Sequence, residues 1–100
     1  MTLHLTLKKS WFDLMISGKK KVEYRRPSMW IKQRLHNKKY DFIKFVNGYG
    51  NDKPYFVCKY KGYKISKKND VVIIEGVSVS IKKGDYLILL GDIVEKGNLT

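Results

Sequence analysis

Residues 40–47 read Tyr40-Asp41-Phe42-Ile43-Lys44-Phe45-Val46-Asn47, and with them the chain changes character from helix-compatible to strand-rich. Three further stretches share this enrichment in Val, Ile, Tyr and Phe: Tyr55 to Tyr60, Val71 to Val79 and Tyr86 to Val94. Such residues suit a pleated, half-buried surface. Turn chemistry separates the stretches at Asn47-Gly48-Tyr49-Gly50-Asn51-Asp52-Lys53-Pro54, at Ser66-Lys67-Lys68-Asn69-Asp70 and at Lys82-Lys83-Gly84-Asp85.

Working back toward the N-terminus, Leu3, Leu5 and Leu7 alternate with His4 and Thr6, the period of a strand with one buried face. Ser10 precedes Trp11-Phe12-Asp13-Leu14-Met15-Ile16, where Trp11 with Leu14 and Met15, and Phe12 with Ile16, fall at helical spacings. Ser10 is the expected N-cap, with Asp13 three residues on, and Gly18 the stop. Both aromatics, Trp11 and Phe12, are expected in the core. A short extended segment is expected over Val22 to Arg25, broken by Pro27. Ser28 then caps a second helix near Met29 to His36, which brings Trp30, Ile31, Arg34 and Leu35 together. The predicted architecture is α+β: a small β-barrel of five or six strands with two short helices near the N-terminus, in one domain over residues 1–100. A closed barrel removes the edges that so many strands would otherwise present.

The 100 residues carry 21 Lys and Arg against 9 Asp and Glu, a formal charge of +12. Residues 1–50 hold 12 basic and 3 acidic side chains, residues 51–100 hold 9 and 6. This imbalance favours polyanions over neutral partners. An evenly solvated Lys-rich exterior is the plainer reading of the same numbers. Apolar residues make up 43% and aromatics 13%, a globular composition. No apolar run approaches the ~18 residues of a membrane span, so no membrane partner is expected. The opening Met1-Thr2-Leu3-His4 is unlike a signal peptide, and one cysteine, Cys58, permits no internal disulfide. The expected location is the cytoplasm, of a cell or of a virus-infected cell. His4 and His36 have no ligand partner at metal spacing, so neither metal nor cofactor is expected. Cys58 reads as a small core residue rather than a nucleophile.

The densest polar constellation is Gly18 to Arg26, followed by Trp30 and Arg34. Glu23 sits there among Lys19, Lys20, Lys21, Arg25 and Arg26, which should hold it ionised. Glu23 can then act as a base beside a Lys that stabilises developing negative charge. It can equally fix the geometry of a phosphate-binding Arg25, or be an ordinary surface ion pair. Were Val22–Arg25 a strand, Glu23 and Arg25 would share one face and Tyr24 the other. Whether Lys20 or Lys21 faces the cleft stays open. Trp30, Tyr24, Tyr49 and Tyr55 are candidates to stack on bases splayed from a single strand. The alternative reading of Trp30 is as core, or as lying under Arg34 in a cation–π pair.

The run Gly18-Lys19-Lys20-Lys21-Val22-Glu23-Tyr24-Arg25 resembles the G-x-K-x-x-E-x-R motif of ASCH domains, matching at Gly18, Lys20, Glu23 and Arg25. The strand and Phe-containing helix before it, Phe45-Val46-Asn47-Gly48-Tyr49-Gly50 and the late Leu89-Leu90-Gly91-Asp92-Ile93-Val94 extend the resemblance over nearly the whole chain. It implies a barrel related to PUA domains and an RNA-related cleft. Members are proposed to bind RNA; some are amidohydrolases acting on N4-acetylcytidine, and nuclease activity has been ascribed to others. In the amidohydrolases a Lys stands at the position of Lys20, a Thr at that of Glu23, and a more distant Glu completes the set. Glu23 offers no hydroxyl nucleophile, and Glu75 is the conceivable distant acid, or else a solvent-facing strand residue.

The expected partner is therefore RNA, single-stranded for preference, or a nucleotide. Binding falls to Lys20, Lys21, Tyr24, Arg25, Trp30, Arg34, Asn47 and Tyr49, with Glu23 orienting the cations. If the protein is an enzyme, it is a metal-independent hydrolase of RNA or a modified nucleoside, with Lys20 and Glu23 as the reacting pair. A third reading is a small basic protein that binds an acidic protein surface.

Overall fold

The computed structural model describes residues 1–99. The order of elements is β1 (Thr2–Leu7), α1 (Lys9–Ile16), β2 (Val22–Arg25), α2 (Met29–Leu35), β3 (Phe42–Asn47), β4 (Tyr55–Ile65), β5 (Asp70–Ile74), β6 (Val77–Ile81) and β7 (Tyr86–Gly97). Five strands form one sheet in the order β1-β3-β4-β7-β2, curled into a half-barrel, while β5 and β6 form a separate two-stranded ribbon. β1 runs parallel to β3, and the other pairings in the sheet are antiparallel.

The leucine alternation works as expected: Leu3, Leu5 and Leu7 are buried, and each sits beside its β3 partner in register, Leu3 on Ile43 and Leu5 on Phe45. Phe12 and Met15 of α1, Ile31 and Leu35 of α2, and Phe56, Cys58, Tyr86, Ile88 and Leu90 of the sheet complete one core. Phe56 is its hub, with ring centroids 5.3 Å from Phe12 and 5.2 Å from Phe45.

Ser28 caps α2 as expected, its side chain accepting from the Ile31 N–H at 3.1 Å. Gly18 adopts φ +82° just past α1, the left-handed stop that glycine allows at least cost. Ser10 does not cap α1. The helix leaves β1 directly, its N-cap is Lys8 with no side-chain bond, and Ser10 lies inside the first turn. Asp13 instead pairs with Lys9 at 2.6 Å.

The expected strand Val71–Val79 is two strands. The chain reverses at Glu75-Gly76, both with positive φ (49° and 77°), and Ile74 pairs with Val77 across the two-residue turn. β4 and β7 run further than expected because their ladder slips three times, between Val57 and Cys58, Cys58 and Tyr60, and Tyr60 and Tyr63. Such bulges bend the strand, and the sheet curls there. β1 and β2 are the two edges of the half-barrel and do not pair with each other.

Candidate functional site

The seam between those two edges is a cavity of about 340 Å³. β1 and the residue after it contribute Thr6, Leu7 and Lys8; β2 and its continuation contribute Glu23, Tyr24, Arg25 and Arg26. Trp11 and Lys20 come from α1 and the loop behind it, Val79 and Ser80 from the ribbon, and Asp85 from the turn before β7.

The strand alternation of Val22–Arg25 does place Glu23 and Arg25 side by side. Arg25 donates from Nε to Glu23 Oε2 at 2.8 Å, and its Nη2 donates to the Thr6 carbonyl at 2.9 Å. That second bond crosses the seam, so a side chain bridges the gap that backbone pairing leaves open. Lys20 approaches from the opposite side and donates from Nζ to Glu23 Oε1 at 3.2 Å and to the Val22 carbonyl at 2.7 Å. Its third contact is Met15 Sδ at 3.9 Å, and the Trp11 and Tyr24 rings lie 5.4 and 5.2 Å away. Lys20 and Glu23 are both buried, while the Arg25 side chain keeps 27% of its exposure.

Burial pushes the Lys20 pKa below the ordinary lysine value; the attraction of Glu23 works against this, and Arg25 adds to it. The ammonium's three protons already face three acceptors within the chain. Lys20 therefore holds Glu23 in place, and its remaining neighbours are aromatic faces. Burial and the nearby Asp70 push the Tyr24 hydroxyl upward. Arg26 is exposed and pairs with Asp85 Oδ2, which also accepts from the Lys82 N–H at 2.8 Å. Asp85 is only 3% exposed, and its Oδ1 is the one buried side-chain oxygen or nitrogen with no hydrogen-bond partner among the described residues.

The ribbon forms one wall of the cavity. Glu75 at its tip reaches Lys19 at 3.7 Å, an exposed contact between the ribbon and the loop ahead of β2. Glu75 thus lies in a turn, neither on a strand face nor in the cavity lining.

Of the residues expected at the site, the cavity brings together Lys20, Glu23, Tyr24 and Arg25. Lys21 is exposed and faces a second cavity, of about 320 Å³, on the other side of Lys20. Trp30 and Arg34 are on α2 outside the lining, with the guanidinium 4.1 Å from the ring centroid, the cation–π pair that was one reading of this spacing. Asn47 pairs with Leu7 in the β1–β3 ladder, one strand away from the seam, and Tyr49 projects from its loop at 85% exposure.

Trp11 was expected in the core and is a half-buried wall of the cavity instead. Phe12 and Met15 fill the inward stripe of α1, which turns Trp11 toward the seam. Lys8, Arg26 and Asp85 also line the cavity, beyond the residues to which the sequence assigns binding. Arg26 stood in plain view beside Arg25, whereas nothing in Gly84-Asp85 distinguished a turn aspartate from a buried one.

Compared with family models, with curated proteins and with solved structures, this chain has no match in any of the three.

Proposed function

We propose that this protein is an ASCH-type domain that binds single-stranded RNA or a nucleotide in the seam cavity. The observation that carries the reading is the buried Lys20–Glu23–Arg25 cluster lining a cavity that also holds two aromatic side chains, Trp11 and Tyr24. Those are the parts that recognition of an unstacked base uses: an aromatic face, a fixed acceptor and cations for the phosphate. At about 340 Å³ the cavity lies near the lower end of small-molecule sites, the right scale for one nucleotide.

The roles differ from residue to residue. Lys20 has no free proton for a phosphate, so it acts through Glu23. Arg26 and Lys8, both exposed at the mouth, are the phosphate contacts, with the remaining donors of Arg25. Trp11 and Tyr24 stack, and the second lone pair of Glu23 Oε1 accepts from a base edge.

The test is a titration of isotopically labelled protein with short single-stranded RNA at low and moderate salt. The expected result is a set of shifts centred on Trp11, Glu23, Tyr24, Arg25 and Arg26, with affinity that falls with salt as phosphate contacts release counterions. Shifts spread over every Lys-rich surface would overturn the reading and leave an acidic protein surface as the better partner.

One observation favours a second reading, metal-independent hydrolysis of RNA or a modified nucleoside. Burial lowers the Lys20 pKa, and a shift in that direction makes a lysine a readier base or nucleophile. Incubation with N4-acetylcytidine and with an RNA oligonucleotide, followed by chromatography, separates the readings. Turnover that Lys20→Ala abolishes in a folded variant supports the enzyme; intact substrates leave binding alone.

A further inference from the structure

We propose that the β5–β6 ribbon is a flap over the seam cavity, closed in this structure and hinged at its base so that it swings away to admit a ligand; the role in admission rests on the nucleotide-binding reading above. The ribbon walls the cavity through Val79 and Ser80, yet little ties it to the rest of the molecule. Its strands pair only with each other, although β1 and β2 both keep free edges. Of residues 70–81 only Ile81 is buried, and it stands outside the core cluster, to which the ribbon contributes nothing. One face, with Val72, Ile74 and Val79, is half-buried, while the other leaves Val71 and Ile73 exposed at 61% and 70%. Beyond their own ladder and the Val71 N–H, which donates to Asp70, these residues make no hydrogen bond among the described residues. Segments with few buried apolar contacts and few bonds to their neighbours open at the low end of the stability range.

The two ends of the ribbon are held very differently. At the tip, Glu75 lies 3.7 Å from Lys19, with both side chains more than half exposed. A pair so exposed shifts an equilibrium by about fivefold at most. At the base, the two arms are clamped together as they leave β4 and enter β7. The Ser66 N–H donates to the Asp85 carbonyl and the Gly84 N–H to the Ser66 carbonyl, both at 2.8 Å, and the Lys83 N–H donates to Asn69 Oδ1 at 2.9 Å. Arg26 anchors the same turn through Asp85. Firm attachment at one end and a weak one at the other is the layout of a hinged element. The bend falls at residues 67–69 and 82–84, which belong to no strand and where Gly84 takes φ +95°. The tight turn at Glu75-Gly76 keeps the two strands together, so the ribbon moves as one body.

Lifting the ribbon removes one wall of the cavity and lets a nucleotide in; its return places Val79 and Ser80 against the bound ligand and shields it from water. Loop and flap motions of this kind fall in the microsecond-to-millisecond range. The first test therefore uses the free protein and backbone-amide relaxation dispersion. Residues 70–81 are expected to share one exchange process while β1 and β3 stay quiet. Lys19→Glu, which repels Glu75, should raise the open population severalfold, and Lys19→Glu/Glu75→Lys should bring it back. A ribbon as quiet as the sheet, or one indifferent to the charge reversal, would overturn the flap.

Admission is tested by locking the tip. In Lys19→Cys/Glu75→Cys a short bis-methanethiosulfonate joins the two introduced thiols through reducible links, and the buried Cys58 is out of its reach. Association with a short mixed-sequence single-stranded RNA, followed by stopped-flow fluorescence, should slow by about an order of magnitude or more on bridging and recover when reductant cuts the bridge. The two failures are distinguishable. RNA that binds the bridged protein as fast as the reduced one removes only this inference. Wild-type protein that binds no RNA removes the proposed function, and relaxation dispersion still decides whether the ribbon moves.

Discussion

Replacing Glu23 by Gln keeps the shape of the side chain and removes the charge on which two cations depend. Arg25 retains the Thr6 carbonyl and is 27% exposed, so it rehydrates at little cost. Lys20 cannot. Its side chain is 3% exposed, and among the described residues the Val22 carbonyl and Met15 sulfur are its only other hydrogen-bond partners. Breaking a buried pair by removing one member costs about 3–5 kcal/mol, because the other charge stays behind uncompensated. A domain of this size has about 5–15 kcal/mol in all. At about 4–8 °C per kcal/mol, the melting temperature should fall by about 12–40 °C. The loss also carries a pH signature. Lys20 already titrates below its unfolded value of 10.5, so the unfolded state binds more protons in that window and stability climbs as pH rises through it. Without Glu23 to oppose desolvation, the window widens downward and the climb in Glu23→Gln is steeper than in wild type. Lys20→Met in the same chain removes the stranded charge, so the double variant should be more stable than the two single costs predict. Thermal and urea melts of the four proteins, followed by circular dichroism from pH 6 to 10, provide the measurement. Single costs that add within about 0.5 kcal/mol would refute the coupling. So would a Glu23→Gln melting point close to that of wild type.

Other consequences follow from the same geometry. Ser28→Ala removes the cap on Ile31 and should cost about 1 kcal/mol in urea melts, whereas Ser10→Ala, inside α1 and capping nothing, should leave the midpoint in place. Burial pushes the Cys58 thiol up to about 11 from 9.0, so its contribution is complete below pH 9 and is lost as pH rises toward 11. Wild type should therefore lose about 2–3 kcal/mol over that interval relative to Cys58→Ala, and parallel pH profiles for the two proteins would contradict this. Trp11→Ala should weaken RNA binding by about 1–3 kcal/mol, the worth of one stacked base, while Trp30→Ala, held under Arg34 outside the cavity, should leave affinity unchanged in the same titration.

What could be read from residues alone was whatever local chemistry decides. The leucine alternation of β1, the Ser28 cap, the Gly18 stop and the shared face of Glu23 and Arg25 depend on a few neighbouring positions, and each follows from them. The misses depend on partners far along the chain. Glu75-Gly76 turns tightly although glutamate seldom takes a positive φ, and only the pairing of Ile74 with Val77 fixes the reversal. The length of β4 and β7 rests on bulges that resume the ladder, and Gly62 at φ +90° was the one local hint. Trp11 satisfies the helical stripe as well as Phe12 does; the crowding of Phe12 against Phe56 decides which of them is buried. The expected cleft mixed two neighbourhoods for a similar reason. Trp30 and Arg34 lie close to the motif in sequence, but α2 carries them elsewhere, while Asp85, nearly sixty residues after Arg26, closes on it across the seam.

The polar cluster at the seam is hard to account for by stability alone. A half-barrel whose edge strands stay unpaired can be finished with apolar side chains, and replacing a buried ion cluster by well-packed hydrophobic residues is often neutral or stabilising. This chain instead buries a lysine and a glutamate there, and stretches an arginine across the gap to a backbone carbonyl. It leaves a cavity beside them rather than filling it, and walls that cavity with a tryptophan, a tyrosine and an aspartate whose second oxygen has no donor among the described residues. A single feature of this kind is compatible with a structural role. Together they hold charges, aromatic faces and acceptors in fixed positions around one space, and it is on this arrangement that the proposed binding of a nucleotide rests. The seam is where the fold is least closed, and it is there that the chain concentrates its most expensive polar groups.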